Sequence, residues 1–167
     1  MIRNATPADA AALAGIYNHF ILHSEATFEV EPISEEEMRR RISSIAAHGP
    51  YLVDETDGVV TGYSYAHPWK ERAAYARTWE TTVYIAPAHQ HRGIGRALMQ
   101  CLIDDCRRRG VHALIACITQ GNTPSYALHR QLGFRQVSAF EEVGRKFNRW
   151  WGVTDWELLL DSLNPAP

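Results

Sequence analysis

The sequence predicts a single α/β domain in which helices cover both faces of a mixed sheet. The chain has 167 residues and is 46% hydrophobic, which is the size of one ordinary domain and enough to bury a core without disulfides. Helical and strand-like patterns alternate along it, and the continuous apolar run ALIACI is typical of a buried strand. We expect one domain over residues 1–160 and a flexible tail over 161–167.

Composition argues against several classes of partner. Lys and Arg number 17 against 19 Asp and Glu, and the net charge of −2 gives no general attraction to nucleic acid or anionic lipid. The first residues, MIRNATPADA, lack the charged and apolar regions typical of a signal peptide, and no run approaches the roughly 20 apolar residues of a membrane span. Three cysteines without CxxC spacing argue against a disulfide framework and a structural zinc site. We therefore expect a cytoplasmic protein with no metal, nucleic-acid or membrane partner, whose cysteines pack as small hydrophobic side chains. They are Cys101, Cys106 and Cys117.

Two helices are predicted in the first third of the chain. Thr6 and Pro7 are typical of a helix start, and Ser34 with Glu37 has the spacing of a capping box. Apolar residues follow each start at helical spacing. They are Leu13, Ile16, Tyr17, Phe20 and Ile21 in the first helix and Met38, Ile42 and Ile45 in the second. The segment HSEATFEVEP between them carries Phe28 and is predicted to be an ordered loop.

Strand patterns dominate the next third. YLVDE and VVTGYSYAH flank the turn Thr56-Asp57-Gly58 and predict a hairpin, which Pro68 ends. A polar loop, WKERAAYAR, leads into TWETTVYI, whose β-branched and aromatic residues give the strongest strand signal. A helix from near Gly95 to Gly110 follows, then the buried strand ALIACI, then a helix from Asn122 to Gly133. The closing block WWGVTDWELLL supplies at least one more strand.

The loop Gln90–Arg96 lies directly between a strand and a helix. Glycines there let the backbone approach a ligand, and the first helical turn offers free N–H groups and the positive end of the helix dipole, which suit a pyrophosphate. Arg92 and Arg96 add positive charge. A plain tight turn explains a GxG pattern equally well, so the loop alone does not decide. Neither a Walker A loop nor the dinucleotide fingerprint fits.

At this motif the chain resembles the GNAT superfamily of acetyl-CoA-dependent N-acetyltransferases. QHRGIG matches the family pattern Q/R-x-x-G-x-G/A, and the later block from Asn122 to Phe134 is similar to the family's second conserved helix. RAAYARTWETTVYIAPAHQHRGIG and KFNRWWGVTDWELLL resemble the subgroup of phosphinothricin and methionine sulfoximine or sulfone acetyltransferases. The resemblance spans Ile2 to about Leu160. It implies a GNAT-type mixed, mostly antiparallel central sheet with helices on both faces, and a homodimer.

The resemblance also implies that acetyl-CoA is the co-substrate and that no metal takes part. The strand backbone would pair with the pantetheine arm, and the loop N–H groups would bind the pyrophosphate. The implied cofactor-binding residues are Val83, Tyr84, Ile85, His91, Arg92, Gly93, Ile94, Gly95, Arg96 and Asn122.

Three residues are predicted to act in catalysis. Glu80, in the apolar strand TWETTVY, is the candidate base that takes a proton from the acceptor ammonium, with a solvated surface carboxylate as the alternative. The leaving thiolate needs a proton donor, and His129 stands where many family members have tyrosine and the subgroup has histidine. A histidine on a solvent-facing helix surface is the alternative. Tyr84 is another candidate donor, and Tyr126 a weaker one.

The subgroup resemblance places the acceptor against Arg72 and Tyr75, which match its Arg-x-x-Tyr, and against Phe28, which matches an aromatic wall; Glu80 completes the set. Arginine suits a substrate carboxylate because its fork donates two parallel hydrogen bonds. The block containing Lys146, Phe147, Trp150 and Trp151 closes the site in the subgroup, although strand packing explains the tryptophans equally well.

The activity that the resemblance implies is acetylation of the α-amine of a small amino acid or analogue by direct attack on the thioester. Acceptors of this kind are phosphinothricin, methionine sulfoximine and methionine sulfone. A protein N-terminus, a polyamine or an aminoglycoside is the alternative acceptor, for which Glu25, Glu29 and Glu31 would supply an acidic cleft. A non-catalytic acetyl-CoA-binding domain is the third hypothesis, and the presence of Glu80 together with His129 argues against it.

Overall fold

The computed structural model describes residues 1–160, and the predicted tail over 161–167 lies outside them. The strands are β1 Ile2–Asn4, β2 Tyr51–Thr56, β3 Val59–Pro68, β4 Thr78–Ile85, β5 Ala113–Thr119, β6 Arg135–Gln136, β7 Phe140–Lys146 and β8 Arg149–Leu159. The helices are α1 Ala10–His23, α2 Glu35–Ala46, α3 Ile94–Arg108 and α4 Thr123–Gln131. Short 3-10 turns cover Pro7–Asp9, Ala73–Tyr75 and Pro87–His89. None of the described helices is long and apolar enough to cross a membrane.

The strands form one mixed sheet. Their order is β1-β2-β3-β4-β5-β8-β6, with β7 also paired to β8. Every pair in the described residues is antiparallel except β4 with β5, which run parallel. The predicted mixed, mostly antiparallel sheet is confirmed.

Helices cover both faces of this sheet, because alternate strand residues point to opposite sides. On β2, Val53 belongs to a core cluster with α1 and α2, whereas the neighbouring Leu52 belongs to the cluster around α3. The α3 cluster also contains the fully buried Trp156 of β8. The face covered by α1 and α2 is rich in tyrosine, with Tyr51 and Tyr63 both buried.

The predicted helix starts form with two differences. Ser34 Oγ accepts a hydrogen bond from the Glu37 N–H at 3.1 Å, but the Glu37 carboxylate pairs with Arg40 and Arg41 instead of completing the capping box. The first start, predicted at Pro7, begins as a 3-10 turn, and the α-helix itself starts at Ala10.

Three strands have no counterpart in the sequence prediction. They are β1, β6 and β7, of which the first two have only three and two residues. β7 carries the polar sequence FEEVGRK and has no alternating apolar pattern. The turn from β7 to β8 is made by Phe147 and Asn148, with φ values of 53° and 56°. This pair lacks the glycine that usually marks such a turn.

The sheet contains a cleft where the parallel strands β4 and β5 separate. Pairing extends over three residues only, from Thr78↔Ala113 to Glu80↔Ile115. Beyond that point β4 continues along β3 to Ile85, while β5 continues along β8 to Thr119. The two strands therefore diverge in the middle of the sheet and leave a cleft between them.

Candidate active site

The cleft between the diverging strands has a volume of about 1410 Å³. Its walls are the two strands, the C-terminal part of α1 with the loop after it, the start of α3, and α4. Lining residues that the argument uses are Phe28, Glu80, Val83, Tyr84, Ile85, His91, Gly93, Ile94, Gly95, Arg96, Cys117, Asn122 and His129. The structure thus brings together most of the predicted site residues from distant parts of the chain.

One end of the cleft is the N-terminus of α3. The turn into it is made by His91 and Gly93, with φ values of 60° and 80°, so that Gly93 serves as the helix N-cap in a conformation that favours glycine. The first N–H groups of a helix have no partner within it and carry partial positive charge. Ile94 and Gly95, in this first turn, both line the cleft. This arrangement fits a pyrophosphate.

Arg96 also lines the cleft, whereas the Arg92 side chain does not. Asn122 begins α4, and its side-chain oxygen accepts the Ser125 N–H at 3.2 Å. That bond leaves the amide nitrogen as the group with which Asn122 can reach a ligand.

A second backbone feature is the edge of β4. Residues 83–85 pair with β3 on one side, through Ser64, Tyr63 and Gly62. Their ladder with β5 has already ended at Glu80, so the edge toward β5 is open to the cleft. An extended chain with amide groups, such as a pantetheine arm, fits such an edge as an added strand.

Glu80 lies at the last position of β4 that pairs with β5, and it lines the cleft. Burial raises the pKa of the Glu80 carboxyl above its ordinary value, the nearby Asp155 adds to the rise, and His67 opposes it. His67 is the cross-strand partner of Glu80 on β3. A half-buried carboxylate with a raised pKa is the kind of group that accepts a proton near neutral pH.

Cys117 lies on the same side of the sheet as Glu80, opposite Asp155 of β8. Burial, together with the negative charges of Asp155 and Glu80, raises the pKa of the Cys117 thiol to about 12. The thiol is therefore protonated at neutral pH and is a poor nucleophile. Of the three cysteines predicted to pack as small hydrophobic side chains, Cys106 is buried in the core, whereas Cys101 and Cys117 reach the surface, Cys117 at the wall of the cleft.

His129 is only 3% exposed, so the solvent-facing alternative for this residue is wrong. Its Nδ1 lies 2.8 Å from the Ser125 carbonyl oxygen, and its ring packs edge-on against Phe134 at 5.0 Å. Burial lowers the pKa of the His129 imidazole, with the bond to Ser125 opposing the shift. A neutral ring that donates from Nδ1 to the carbonyl carries no proton on Nε2. This environment disfavours the predicted imidazolium donor.

The Tyr84 hydroxyl donates to the Ala26 carbonyl at 3.4 Å, and its ring lies against Tyr17 and Phe20. Burial raises the pKa of Tyr84 well above its ordinary value, so this hydroxyl keeps its proton. The Tyr126 hydroxyl accepts the Gly121 N–H at 3.1 Å and lies 3.3 Å from the Thr154 hydroxyl, which donates to it. Tyr126 is thus engaged in packing and hydrogen bonding within the fold.

We call residues 24–33 the acceptor loop, after the role predicted for Phe28. Phe28 on this loop lines the cleft, as predicted. The Glu25 carbonyl accepts a hydrogen bond from the Thr119 hydroxyl at 2.7 Å, which fastens the loop to β5. Glu25 lines the cleft, but Glu29 is paired with Arg41 at 2.6 Å. The acidic cleft considered for cationic acceptors is therefore partly neutralised.

The structure does not bring Arg72 and Tyr75 into the cleft of the same chain. Both lie in the loop between β3 and β4, where Arg72 is exposed and Tyr75 packs edge-on against Trp69 at 5.5 Å. The Lys70 ammonium lies 3.9 Å from the centre of the Trp69 ring.

Lys146, Phe147, Trp150 and Trp151 do not line the cleft either. Phe147 and Trp150 are more than half exposed, and the Trp151 indole donates to the Lys146 carbonyl at 3.0 Å.

Sequence reasoning also missed two cleft tyrosines, Tyr17 and Tyr65. The alternation of Tyr63, Tyr65 and His67 along β3 was the signal for an aromatic face. Within residues 1–160, no group of three or more His, Cys, Asp or Glu side chains is placed to hold a metal ion.

An open strand edge, a helix N-terminus that fits a pyrophosphate and a half-buried carboxylate therefore share one cleft. Together with the fold, they define the class of protein: an N-acetyltransferase that uses a coenzyme A thioester. The chain belongs to the acetyltransferase (GNAT) domain family, whose model matches residues 2–154.

Individual proteins and a solved structure are similar to this chain over nearly its whole length. The chain is 40% identical over 161 residues to the L-methionine sulfoximine/L-methionine sulfone acetyltransferase of Salmonella typhimurium, covering 96% of this chain and 94% of that protein. It is 38% identical to a phosphinothricin N-acetyltransferase of Streptomyces coelicolor, covering 93% and 94%. The solved structure of YncA from Salmonella typhimurium, with its cofactor acetyl-CoA, has a TM-score of 0.95 at 39% identity and covers 100% of this chain and 96% of that one.

Proposed function

We propose that this enzyme transfers the acetyl group of acetyl-CoA to the α-amine of a small amino-acid-like acceptor, with phosphinothricin, methionine sulfoximine and methionine sulfone as the acceptor class. The observation that carries the proposal is the position of Glu80, whose carboxylate with a raised pKa lies in the cleft at the point where β4 and β5 separate. The similarity to acetyltransferases named for these acceptors supports the choice of acceptor.

The residues fit acetyl-CoA in two places. The open edge of residues 83–85 suits the amides of the pantetheine arm, and the N–H groups of residues 92–96 suit the pyrophosphate. His91 and Gly93 shape the turn, and Arg96 and Asn122 line the same cleft. When bound, acetyl-CoA supplies the activated acyl group.

Glu80 then removes a proton from the acceptor ammonium, because an ammonium has no lone pair with which to attack. The amine nitrogen forms a bond to the thioester carbon, the carbon–sulfur bond breaks, and the sulfur leaves as a thiolate. The nitrogen gives up its second proton to solvent as the neutral amide forms. We assign the proton that the thiolate needs to Tyr84, a residue that lines the cleft and whose hydroxyl keeps its proton, although this requires the hydroxyl to leave the Ala26 carbonyl. His129 is the second candidate, and its lowered pKa makes it the weaker one.

For the acceptor, we propose Phe28 as a wall and Arg72 with Tyr75 as the carboxylate site. Arg72 is exposed and forms no ion pair within residues 1–160, so its guanidinium is available. The loop that carries Arg72 leads directly into β4, and Arg72 precedes Glu80 by eight residues. This assignment requires the loop to close over the acceptor.

We further infer a homodimer and a cytoplasmic location. Six large apolar side chains are exposed on or beside the last three strands, a feature that often marks a protein interface. They are Val137, Phe140, Val143, Phe147, Trp150 and Leu159. The unpaired cysteines fit a reducing compartment. Light scattering after size exclusion tests the dimer, and a mass near the 18.9 kDa of one chain would contradict it.

The experiment that tests the activity is a free-thiol release assay with acetyl-CoA and a panel of acceptors. The panel holds phosphinothricin, methionine sulfoximine, methionine sulfone, common amino acids, polyamines and N-terminal peptides. Selective turnover of the first three is the expected result. Turnover of peptides or polyamines alone would contradict the proposed acceptor class. Tight acetyl-CoA binding without any turnover would contradict the proposal that the protein is an active enzyme.

A further inference from the structure

Lys146, at the end of β7, is buried although it is a lysine. It is 3% exposed, and its ammonium donates to the carbonyls of Ser24 at 2.6 Å and Thr27 at 2.7 Å, with a longer contact to Phe20 at 3.4 Å. Lysines are almost never buried to this degree without a partner. Three carbonyl oxygens match the three donors of the ammonium group.

Those carbonyls belong to the end of α1 and the start of the acceptor loop. A cation is favourable at a helix C-terminus, where carbonyl groups carry partial negative charge. Within residues 1–160, Lys146 forms no ion pair with a carboxylate. Burial lowers the pKa of Lys146, and the charge of Glu25 opposes the shift. The Lys146 ammonium therefore binds backbone carbonyl groups and does not neutralise a carboxylate.

Gly144 contacts the same loop from the same strand. A Cβ atom at Gly144 would lie 2.1 Å from Cε2 of Phe28, so the ring occupies the space that any other residue would fill. Positions 144 and 146 share one face of β7, because strand side chains alternate. Arg145 between them is exposed. Alternate residues of one strand thus hold both the backbone and the aromatic ring of the acceptor loop.

We propose that Gly144 and Lys146 form a clamp that positions Phe28 in the cleft and thereby sets the affinity for the acceptor and its selection by side-chain size. The proposal rests on the proposed function, in which Phe28 is a wall of the acceptor site. Neither residue lines the cleft, so both are positioning residues that act through the loop. The clamp gives a role to β7, one of the three strands that the sequence did not predict.

The first test replaces Lys146 by methionine, which keeps much of the side-chain volume and removes the charge. Arg145→Met is the matched control, because it removes a cation from the same strand on the opposite face. We expect Lys146→Met to raise the KM for methionine sulfone about tenfold, with the KM for acetyl-CoA changed less than twofold. Hydrogen exchange of amides 24–33 should become faster in the ligand-free variant, and Arg145→Met should match the wild type in both readouts.

The second test uses Gly144→Ala, which pushes the Phe28 ring from its place. We expect a higher KM for bulky acceptors, partly restored by Phe28→Leu in the same chain because the smaller side chain makes room. If Lys146→Met does not fold, Gly144→Ala and the double variant Gly144→Ala with Phe28→Leu test the clamp in its place.

Unchanged acceptor KM and unchanged loop exchange in a folded Lys146→Met would overturn the clamp. So would a double variant no better than Gly144→Ala. If the wild type acetylates none of the panel, the proposed function fails, and the exchange of residues 24–33 still decides whether Lys146 holds the loop.

Discussion

The two halves of the cleft are built in different ways. The half assigned to acetyl-CoA comes from a short stretch of chain, residues 83–96, and uses mainly backbone groups. The half assigned to the acceptor combines the loop after α1, the side chain of Glu80 and strand β7, which are more than 100 residues apart at the extremes. A site made of contiguous backbone depends on few side chains, whereas a site assembled from distant segments depends on many tertiary contacts.

This difference predicts that side-chain changes in the acceptor half affect turnover while leaving acetyl-CoA binding intact. The largest effect is expected for Glu80→Gln, which removes the base but keeps the shape. We expect kcat/KM to fall about 100-fold or more at neutral pH, the usual contribution of a general base, with the Kd of acetyl-CoA within twofold of the wild type. Steady-state kinetics and calorimetry measure the two quantities. Unchanged turnover would remove Glu80 from the mechanism.

The cofactor half should respond to a change in backbone conformation. Gly93→Ala places a side chain at a φ of 80°, a conformation that costs about 1–2 kcal/mol for other residues. We expect the Kd of acetyl-CoA to rise about tenfold as the turn relaxes. Gly58→Ala is the control, since Gly58 has a φ of 76° in the β2–β3 turn and, like Gly93, has open space for a Cβ. Equal Kd values for the two variants would contradict the role of the Gly93 turn.

The carboxylate site should respond to the charge of the acceptor. Arg72→Ala is expected to raise the KM of phosphinothricin about fivefold, the upper range for an exposed ion pair, and to leave the KM of an α-ester analogue nearly unchanged. Arg39→Ala on the exposed side of α2 serves as a control for the loss of a surface charge. Equal losses on acid and ester would assign Arg72 a structural role.

The pH dependence sharpens the assignment of the base. Because burial raises the pKa of Glu80, the acid limb of kcat/KM in the wild type should have its midpoint above pH 4.5, the ordinary value for glutamate. Below that midpoint the base is protonated and cannot accept a proton. In Glu80→Gln this limb should disappear, and the residual rate should follow the fraction of free amine. A pH–rate profile with the same limb in both proteins would contradict the assignment.

The smallest effect concerns stability. A raised carboxyl pKa means that the folded state binds this proton more tightly than the unfolded state, so the wild type loses stability as pH rises from the unfolded pKa through the folded one. Glu80→Gln lacks this loss. Its Tm should equal that of the wild type at pH 4 and exceed it by about 2 °C at pH 8. A lower Tm for the variant at pH 8 would show that the ionised carboxylate stabilises the fold.

The same contrast explains what the sequence could predict. The turn at Gly93 could be predicted because it depends on local chemistry and on a strand and helix adjacent in the chain, whereas its assignment to a pyrophosphate came from the family resemblance. Glu80 became a candidate because a carboxylate inside an apolar strand pattern is unusual, and the resemblance to the acetyltransferase subgroup strengthened the prediction. Both signals are local, and so is the cap at Ser34.

Tertiary contacts decide the rest. Nothing near Lys146 in the sequence indicates burial, because its three carbonyl partners come from residues about 120 positions away. The β7–β8 turn was missed because Phe147 and Asn148 replace the usual glycine. His129 follows a helical pattern that does not tell a buried face from an exposed one. Arg72 and Tyr75 remain predictions, since their loop lies outside the cleft of the single chain.

The most direct test of the two-part cleft is hydrogen exchange of the wild type with each ligand in turn. Acetyl-CoA alone should slow the exchange of amides in residues 83–85 and 92–96 and leave residues 24–33 unchanged. Addition of the N-acetylated product of methionine sulfone together with coenzyme A should then slow the exchange of residues 24–33. Protection of the acceptor loop by acetyl-CoA alone, or no protection at residues 92–96, would contradict the division of the cleft into a backbone-built cofactor half and a side-chain-built acceptor half.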